Sequence, residues 1–208
     1  MAVATKTKRE VVSEFRSAEI LEAARKVFAK RGFDQTTVDG IASAAGIAKG
    51  TLYLYFHSKR EIYLGALKRD VLALHAETTS RVAACITIEE KIRAFISTRV
   101  RYLEENRDFF KIYYSEFANF FIPLASAPKG FRELYLQQAR MLESVLREAV
   151  KRGTIRKVCP HTTALRIYDM TLGLVAQRLH GWSKADVEED MELLFDLLWR
   201  GIGTKDES

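Results

Sequence analysis

TTVDGIASAAGIAKGTLYLYFHSK, residues 36–59, is the stretch of the chain that decides the fold. It predicts two short helices joined by a tight turn at Gly46, because a helix end favours a residue that adopts a positive φ. Leu52 and Phe56, four residues apart, form the buried edge of the second helix, and the rest of its surface is too polar for a core helix. Two helices with this spacing are typical of a helix-turn-helix, in which the second helix enters a DNA major groove.

Helix start and stop signals continue along the whole chain. A first helix is predicted over residues 17–31, and Ser58 and Thr87 each stand three residues before the glutamate of a capping box. Pro160 suits the first turn of a later helix, and no segment alternates as a strand would. These signals predict an all-α fold of about nine helices.

The residues of the helix-turn-helix resemble the DNA-binding segment of TetR-type (tetracycline-repressor-like) transcriptional regulators. The resemblance covers the A-x-x-A-G-I turn, the K-G-T-L-Y-x-Y-F recognition helix and the S-K-x-x-I start of the next helix. It is strong over residues 1–70, and Gly40 departs from it, since the family more often has Asp or Glu there. The remainder of the chain agrees with the family in length and helical character.

This resemblance implies a two-domain architecture. Residues 1–70 form a three-helix helix-turn-helix DNA-binding domain, which a long helix joins to a helical ligand-binding and dimerisation domain, residues 71–208. The implied function is that of a homodimeric repressor that binds a palindromic double-stranded DNA operator and is released by a small hydrophobic effector. A constitutive DNA-binding regulator without a ligand, and a helical protein-interaction adaptor that binds no duplex, stay open as alternatives.

Charge and composition agree with a cytoplasmic DNA-binding protein. Residues 1–70 hold 13 Lys and Arg against 8 Asp and Glu, whereas residues 71–208 hold 20 against 19. A basic bias neutralises phosphates. Charge alone favours a merely solvated basic surface, but its coincidence with the helix-turn-helix reverses that preference. Cys85 and Cys159 lie far apart in the sequence and suggest neither a disulfide framework nor a zinc site, which fits a reducing compartment. We expect no contact with a membrane, because no apolar run approaches the roughly 20 residues of a spanning helix, and the N-terminus lacks a signal-peptide pattern.

The predicted DNA contacts come from the two short helices and the residues beside them. Thr36 and Thr37 are both N-cap candidates for the first of these helices, and Thr36-x-x-Asp39 is similar to a capping box. The resemblance implies that this helix N-terminus also binds a phosphate. Lys49 and Gly50 are expected at the groove floor and Leu54 against a thymine methyl group, with phosphate contacts from the others. The predicted DNA-binding residues are Thr36, Thr37, Lys49, Gly50, Thr51, Tyr53, Leu54, Tyr55 and Lys59.

Aromatic residues are concentrated in the second half, where ten of the chain's 22 lie between residues 102 and 135. Taken singly, each is more often core than pocket wall. Together they cover more than the stripe of about 100° that one buried helix face needs, and they favour an apolar cavity with a few polar tips. The predicted ligand-binding residues are Tyr102, Phe109, Phe110, Tyr113, Tyr114, Phe117, Phe131, Tyr135 and Tyr168.

The last two predicted helices are amphipathic. Such helices can simply close the core, but in the TetR family they pair with their symmetry mates in a four-helix bundle. A palindromic operator also requires two recognition helices about 34 Å apart, which favours a twofold dimer. The predicted dimer-interface residues are Tyr168, Leu172, Val175, Leu179, Met191, Leu194, Phe195 and Leu198.

Catalytic and cofactor motifs are absent from the sequence. It contains no G-x-S-x-G, P-loop, H-E-x-x-H or glycine-rich dinucleotide turn. The four histidines are scattered, and although His75 and His161 are conceivable pocket or metal residues, lone histidines are usually structural or exposed. We therefore expect no enzyme activity, no cofactor and no metal.

Overall fold

The computed structural model describes residues 7–118 and 131–203, with the side chains of residues 9, 113, 115–118, 131, 132, 134 and 135 left outside the description. Within these ranges the regular structure is α-helical, apart from an antiparallel bridge between Ile155 and Gly203. The helices are α1 (Lys8–Gln35), α2 (Val38–Ala44), α3 (Lys49–Tyr53), α4 (Lys59–Ala83), α5 (Ile88–Glu105), α6 (Arg107–Ala118), α7 (Phe131–Arg152), α8 (Pro160–Leu179) and α9 (Val187–Ile202). The predicted all-α architecture is confirmed.

Helix α1 is longer than the sequence pattern predicts. It begins at Lys8 because Thr7 and Glu10 form a reciprocal capping box, in which each side chain accepts a hydrogen bond from the other's backbone N–H. Near its other end Gly32 adopts a φ of 74°, which kinks the helix where the pattern predicts a stop. The prediction of a helix end at Gly32 therefore marks a real break inside a longer element.

The predicted helix starts at Ser58 and Thr87 are confirmed, with one difference in detail. Thr87 forms a complete capping box with Glu90. The Ser58 hydroxyl accepts a hydrogen bond from the backbone N–H of Glu61, but the Glu61 carboxylate accepts from the N–H of His57 instead of Ser58. Both arrangements occupy backbone donors that the first turn of a helix leaves unpaired.

A continuous apolar core extends from Ile20 in α1 to Ile202 in α9. Helix α5 is its centre and packs against α4, α6, α7, α8 and α9. Helix α4 joins the two halves, because it packs on α1 at one end and on α5, α6 and α7 further along. Helix α6 contacts α1 as well. In the ranges that the structure describes, no helix combines the length and apolarity required to cross a membrane.

Candidate functional site

The turn between α2 and α3 has the geometry that its sequence predicts. Gly46 adopts a φ of 66°, a backbone conformation that favours glycine. The N–H of Ile47 then donates to the carbonyl oxygen of Ala42 at 3.0 Å, which closes the end of α2. On the inner side Leu52 is fully buried and Phe56 nearly so, as predicted. These contacts fix the orientation of α3 on the domain.

The outer side of α3 presents large residues to solvent. Leu54 is 81% exposed and Tyr53 is 43% exposed, while Thr51 and Tyr55 are half-buried. A Cβ added at Gly50 would meet no atom within 4 Å, so the backbone of α3 is uncovered there. A short helix with a buried inner edge and an uncovered outer backbone can approach another molecule closely.

Lys49 forms an ion pair that its sequence position did not reveal. Its ammonium donates to Oδ2 of Asp39 at 2.8 Å, joining the start of α3 to the first turn of α2 across the surface. The hydrogen bond to Asp39 raises the pKa of Lys49 above its ordinary value. Both side chains are exposed, so the pair is weak and easily exchanged for another anion.

The two threonines before α2 have different roles. Thr37 is exposed and caps α2, because its hydroxyl accepts a hydrogen bond from the N–H of Gly40 at 3.1 Å. Thr36 is only 1% exposed, and its hydroxyl donates to the carbonyl oxygen of Gly32 at 2.6 Å. The capping residue is therefore Thr37 instead of Thr36, and the Thr36 side chain belongs to the end of α1.

Lys59 connects the first residue of α4 to the end of α1. Its ammonium donates to the carbonyl oxygens of Phe33 at 2.8 Å and Asp34 at 3.3 Å, and it lies 4.4 Å from the centroid of the Phe33 ring. The last carbonyls of a helix attract a cation, and an aromatic face does the same. This half-buried side chain therefore holds the domain together, a role that differs from the predicted phosphate contact.

Charged residues meet where α1 packs on α4. Arg25 contacts Glu22 at 2.7 Å and Asp70 at 3.7 Å, and Arg69 contacts Glu22 at 3.3 Å. Arg69 also donates to the carbonyl oxygen of Ala18 at 2.6 Å. Burial raises the pKa of Asp70 to about 6, against the opposing effect of the two arginines. The junction between the helix-turn-helix and the rest of the chain thus contains a carboxylate whose ionised form is disfavoured.

The predicted aromatic cluster is partly inside the described region. Phe109 and Phe110 are fully buried, Tyr102 is half-buried with its ring 6.1 Å from that of Phe109, and Tyr114 is 39% exposed beside Phe110. Burial raises the pKa of Tyr102 to about 12, helped by the charges of Asp70 and Glu77. The side chains of four further predicted ligand-binding residues lie outside the described residues: Tyr113, Phe117, Phe131 and Tyr135.

Clefts with fully described linings lie away from this cluster. One of about 390 Å³ lies along α7 and the start of α8, between Arg140, Arg147 and His161. Another, of about 150 Å³, lies between α5 and α9. The predicted aromatic cavity therefore stays a prediction, because the side chains of four of its nine proposed residues are not described.

Tyr168 is fully buried, and its ring lies 4.0 Å from the guanidinium carbon of Arg99. Arg99 was not predicted as a site residue. It is 0% exposed, although arginines are almost never fully buried unless they are paired. The sequence did contain a signal, since Arg99 follows Ile92 by seven residues and Phe95 by four and so shares their buried helical face.

The predicted dimer-interface residues divide between core and surface. The buried ones, at no more than 9% exposure, are Tyr168, Val175, Met191, Phe195 and Leu198, and the half-buried ones are Leu172, Leu179 and Leu194. Large apolar residues that α8 and α9 expose are instead Met170, Leu193 and Leu197. The predicted interface residues thus face mainly inward, whereas Met170, Leu193 and Leu197 are exposed.

No cluster of three metal-ligating side chains occurs among the described residues. His161 contacts Glu143, with Nδ1 2.8 Å from Oε2, and His75 is half-buried on α4.

Comparisons with known proteins converge on one family. Residues 20–66 match the family model described as bacterial regulatory proteins, tetR family, and residues 85–176 match the tetracyclin repressor-like C-terminal domain. The fatty acid metabolism regulator protein of Bacillus subtilis (strain 168) is 26% identical over 191 residues, which cover 90% of this chain and 95% of that protein. The HTH-type transcriptional repressor KstR2 of Rhodococcus jostii (strain RHA1) is 30% identical over 146 residues, 68% of each chain.

A solved structure shows the same fold. The transcriptional regulator FadR of Bacillus subtilis, in complex with stearoyl-CoA, superposes with a TM-score of 0.77 at 22% identity, covering 87% of this chain and 96% of that one.

Proposed function

The chain belongs to the tetR family of bacterial regulatory proteins, and from that membership we propose that it is a transcriptional repressor that a small hydrophobic effector releases from its operator. The observation that carries the DNA-binding part is the outer side of α3, where Tyr53 and Leu54 are exposed while Leu52 on the same short helix is fully buried. An inner edge that fixes a helix and an outer face that contacts nothing else are what groove recognition requires. Its place of action is the cytoplasm, where the operator is.

The proposed contacts follow from the exposure of each residue. Gly50 lies against the groove floor, and Leu54 against a thymine methyl group. Lys49 leaves Asp39 for a guanine edge or a phosphate, which is a small cost because the ion pair is exposed. The phosphate contacts come from Thr37, Thr51, Tyr53 and Tyr55. Thr36 and Lys59 support this surface from within the domain.

The effector is proposed to be an apolar or amphipathic molecule with an acyl chain. The supporting facts are the buried aromatic residues of α6, the likeness to the fatty acid metabolism regulator protein of B. subtilis, and the likeness to the FadR structure of B. subtilis, which contains stearoyl-CoA. The ligand enters the C-terminal domain, residues 71–208, while residues 1–70 bind DNA. Coupling between such sites is typically about 1–3 kcal/mol, or about 5–150-fold in DNA affinity.

The proposed route of coupling is the packing of α4 and α6 on α1. Both helices contact α1 and also α5, so a ligand that displaces α6 changes the position of the helix-turn-helix. The contacts of Arg25 with Glu22 and Asp70 and of Arg69 with Glu22 hold α1 to α4 on that route. The effector shifts the equilibrium only by its differential affinity for the two arrangements.

A homodimer is proposed through α8 and α9. Met170 of α8 and Leu193 and Leu197 of α9 are exposed, and Leu172 and Leu194 on the same two helices are half-buried. A second copy of the chain is the proposed partner, since a palindromic operator requires two recognition helices related by a twofold axis.

The proposal is tested by selecting duplexes that the purified chain binds from a random DNA library. We expect enrichment of a palindromic sequence, with affinity that falls steeply with salt. Binding to that duplex is then measured with palmitate and palmitoyl-CoA. Failure to enrich any duplex contradicts DNA recognition and favours an adaptor. Enrichment of a palindrome whose affinity neither compound changes favours a constitutive regulator.

A further inference from the structure

Four polar side chains are buried in the part of the chain that follows residue 70. Thr78 of α4, Arg99 of α5, Gln138 of α7 and Thr171 of α8 are each at most 2% exposed, in a core that is otherwise apolar. Arg99 is the bulkiest of the fully buried side chains. Four helices thus each bring a polar group into the interior.

Arg99 has hydrogen-bond partners, but none of them carries a negative charge. Its Nε donates to the Thr171 hydroxyl at 3.2 Å, and its Nη1 donates to Oε1 of Gln138. The side-chain partners that the structure describes for it, Thr171 and Gln138, include no carboxylate. The Nη2 of Arg99, which is buried, has no hydrogen-bond partner among the described residues.

Two further buried side-chain nitrogens also lack a hydrogen-bond partner among the described residues. Nε2 of Gln138 and Nδ1 of His75 are buried without a described hydrogen-bond partner. Burial lowers the pKa of His75, and the positive charge of Arg99 lowers it further. Unpaired buried donors of α5 and α7 therefore adjoin each other, since Arg99 and Gln138 are hydrogen-bonded.

The charge of Arg99 cannot be removed by deprotonation, because a guanidinium keeps its proton in proteins. The ring of Tyr168 at 4.0 Å and that of Phe95 at 5.3 Å attract the cation, but neither neutralises it. A buried charge without a counter-charge is costly, and an unpaired buried donor adds to that cost. An anion that accepts from Nη2 removes both penalties.

We propose that Arg99, with Gln138, binds the anionic group of an amphipathic effector. This inference rests on the proposed function and specifies the effector's chemistry, an apolar chain with an anionic head. The anionic oxygen belongs to the carboxylate of a free fatty acid or to a phosphate of the coenzyme A group in an acyl-CoA thioester. Guanidinium groups bind both in a bidentate manner.

The first test compares three probes with the same alkyl chain by calorimetric titration: palmitate, palmitoyl-CoA and the uncharged hexadecanol. Wild type is expected to bind an anionic probe at least about tenfold more tightly than hexadecanol, since hydrogen bonds to charged groups are the stronger ones. Preference for palmitate assigns the carboxylate, and preference for palmitoyl-CoA alone assigns a phosphate. Arg99→Met/Gln138→Met should lose the preference and keep hexadecanol binding. Arg99→Lys should keep part of the preference.

The control is Arg101→Met, because Arg101 lies on α5 as well but is exposed and paired with Glu188. Equal binding of the charged and uncharged probes by wild type overturns the inference and leaves a hydrophobic effector standing. Binding of none of the probes also overturns it. The selection from a random DNA library then tests the proposed DNA recognition independently. Preference that survives in Arg99→Met/Gln138→Met overturns it as well.

The second test is the melting temperature of the ligand-free protein, with native mass spectrometry used to verify that no ligand is bound. Replacing an uncompensated buried charge by apolar groups should raise the Tm of Arg99→Met/Gln138→Met by about 5 °C. Arg101→Met should leave it nearly unchanged, as removal of an exposed pair does. An unchanged or lower Tm, or failure of the double variant to fold, overturns the inference, because it shows that the chain itself supplies the counter-charge.

Discussion

Replacement of Gly50 by alanine separates the stability of the recognition helix from its function. Gly50 is the second residue of α3, it is exposed, and a Cβ at this position meets nothing within 4 Å. Alanine in a helix is more favourable than glycine by about 0.5–1 kcal/mol. We expect the free energy of unfolding to rise by that amount, and the Tm by about 1–4 °C for a chain of this length.

The same methyl group should weaken DNA binding. If the backbone at Gly50 lies against the groove floor, the methyl group displaces α3 from the base edges. Loss of one good base contact costs about 1–3 kcal/mol, so affinity should fall about 5–150-fold. The variant is therefore expected to be more stable and less active than wild type.

Thermal unfolding and fluorescence anisotropy with the selected duplex measure the two effects. Ser80→Ala is the control, since Ser80 is exposed on α4, outside both the recognition helix and the proposed dimer helices, and alanine is a better helix former than serine. It should gain stability without a change in DNA affinity. A Gly50→Ala protein that is stabilised and binds the duplex as tightly as wild type would refute the proposed docking of α3.

Three further variants test the supporting structure. Lys59→Met removes the donor to the Phe33 and Asp34 carbonyls, so it should lower the unfolding free energy by about 1.5–3 kcal/mol. It should leave the salt dependence of DNA binding unchanged. An unchanged Tm with a salt slope reduced by about one would instead support the phosphate contact that the sequence predicts. Because the pKa of Asp70 is raised to about 6 from 3.8, its ionisation costs the folded state stability as the pH rises from about 4 to about 6. Relative to wild type, Asp70→Asn should therefore gain about 2–3 kcal/mol over that interval in chemical denaturation, and parallel pH profiles of the two proteins would contradict the raised pKa. Leu197→Glu should lower the dimer content in sedimentation and the operator affinity together, whereas Leu72→Glu, at another exposed apolar residue but on α4, should lower neither; an intact Leu197→Glu dimer would place the interface elsewhere.

The sequence predicts the helix-turn-helix well because its signals are local. The burial of Leu52 and Phe56 depends on spacing within one short helix, and the turn at Gly46 depends on one backbone angle. The start of α5 at Ile88 follows from a capping box of four consecutive residues. Each of these features is fixed within a few positions of the residue that causes it.

Features that depend on how helices pack are not predictable in this way. Thr36 and Thr37 are adjacent and chemically alike, and only the kink at Gly32 decides that Thr36 turns inward. The ion pair of Lys49 with Asp39 depends on the angle between α2 and α3. A lysine that holds two helix ends and one that contacts a phosphate have the same sequence signature.

The apolar stripes of α8 and α9 show a second limit. A helix that is apolar over a wide arc has one side against its own core and another that is available to a partner, and periodicity does not distinguish them. Burial assigns Phe195 and Leu198 to the core and leaves Leu197 exposed. The buried Arg99 is likewise an exception to residue statistics, since arginine is expected on the surface.

We propose that the protein has two arrangements, of which an acyl effector favours one and the operator favours the other. The most direct test is an anisotropy titration of the selected palindromic duplex at fixed salt, with and without saturating palmitoyl-CoA or palmitate. We expect one of these compounds to weaken duplex binding by about 5–150-fold, and we expect Arg99→Met/Gln138→Met to bind the duplex normally but no longer to respond. Duplex affinity that stays the same in wild type with either compound bound would contradict this proposal.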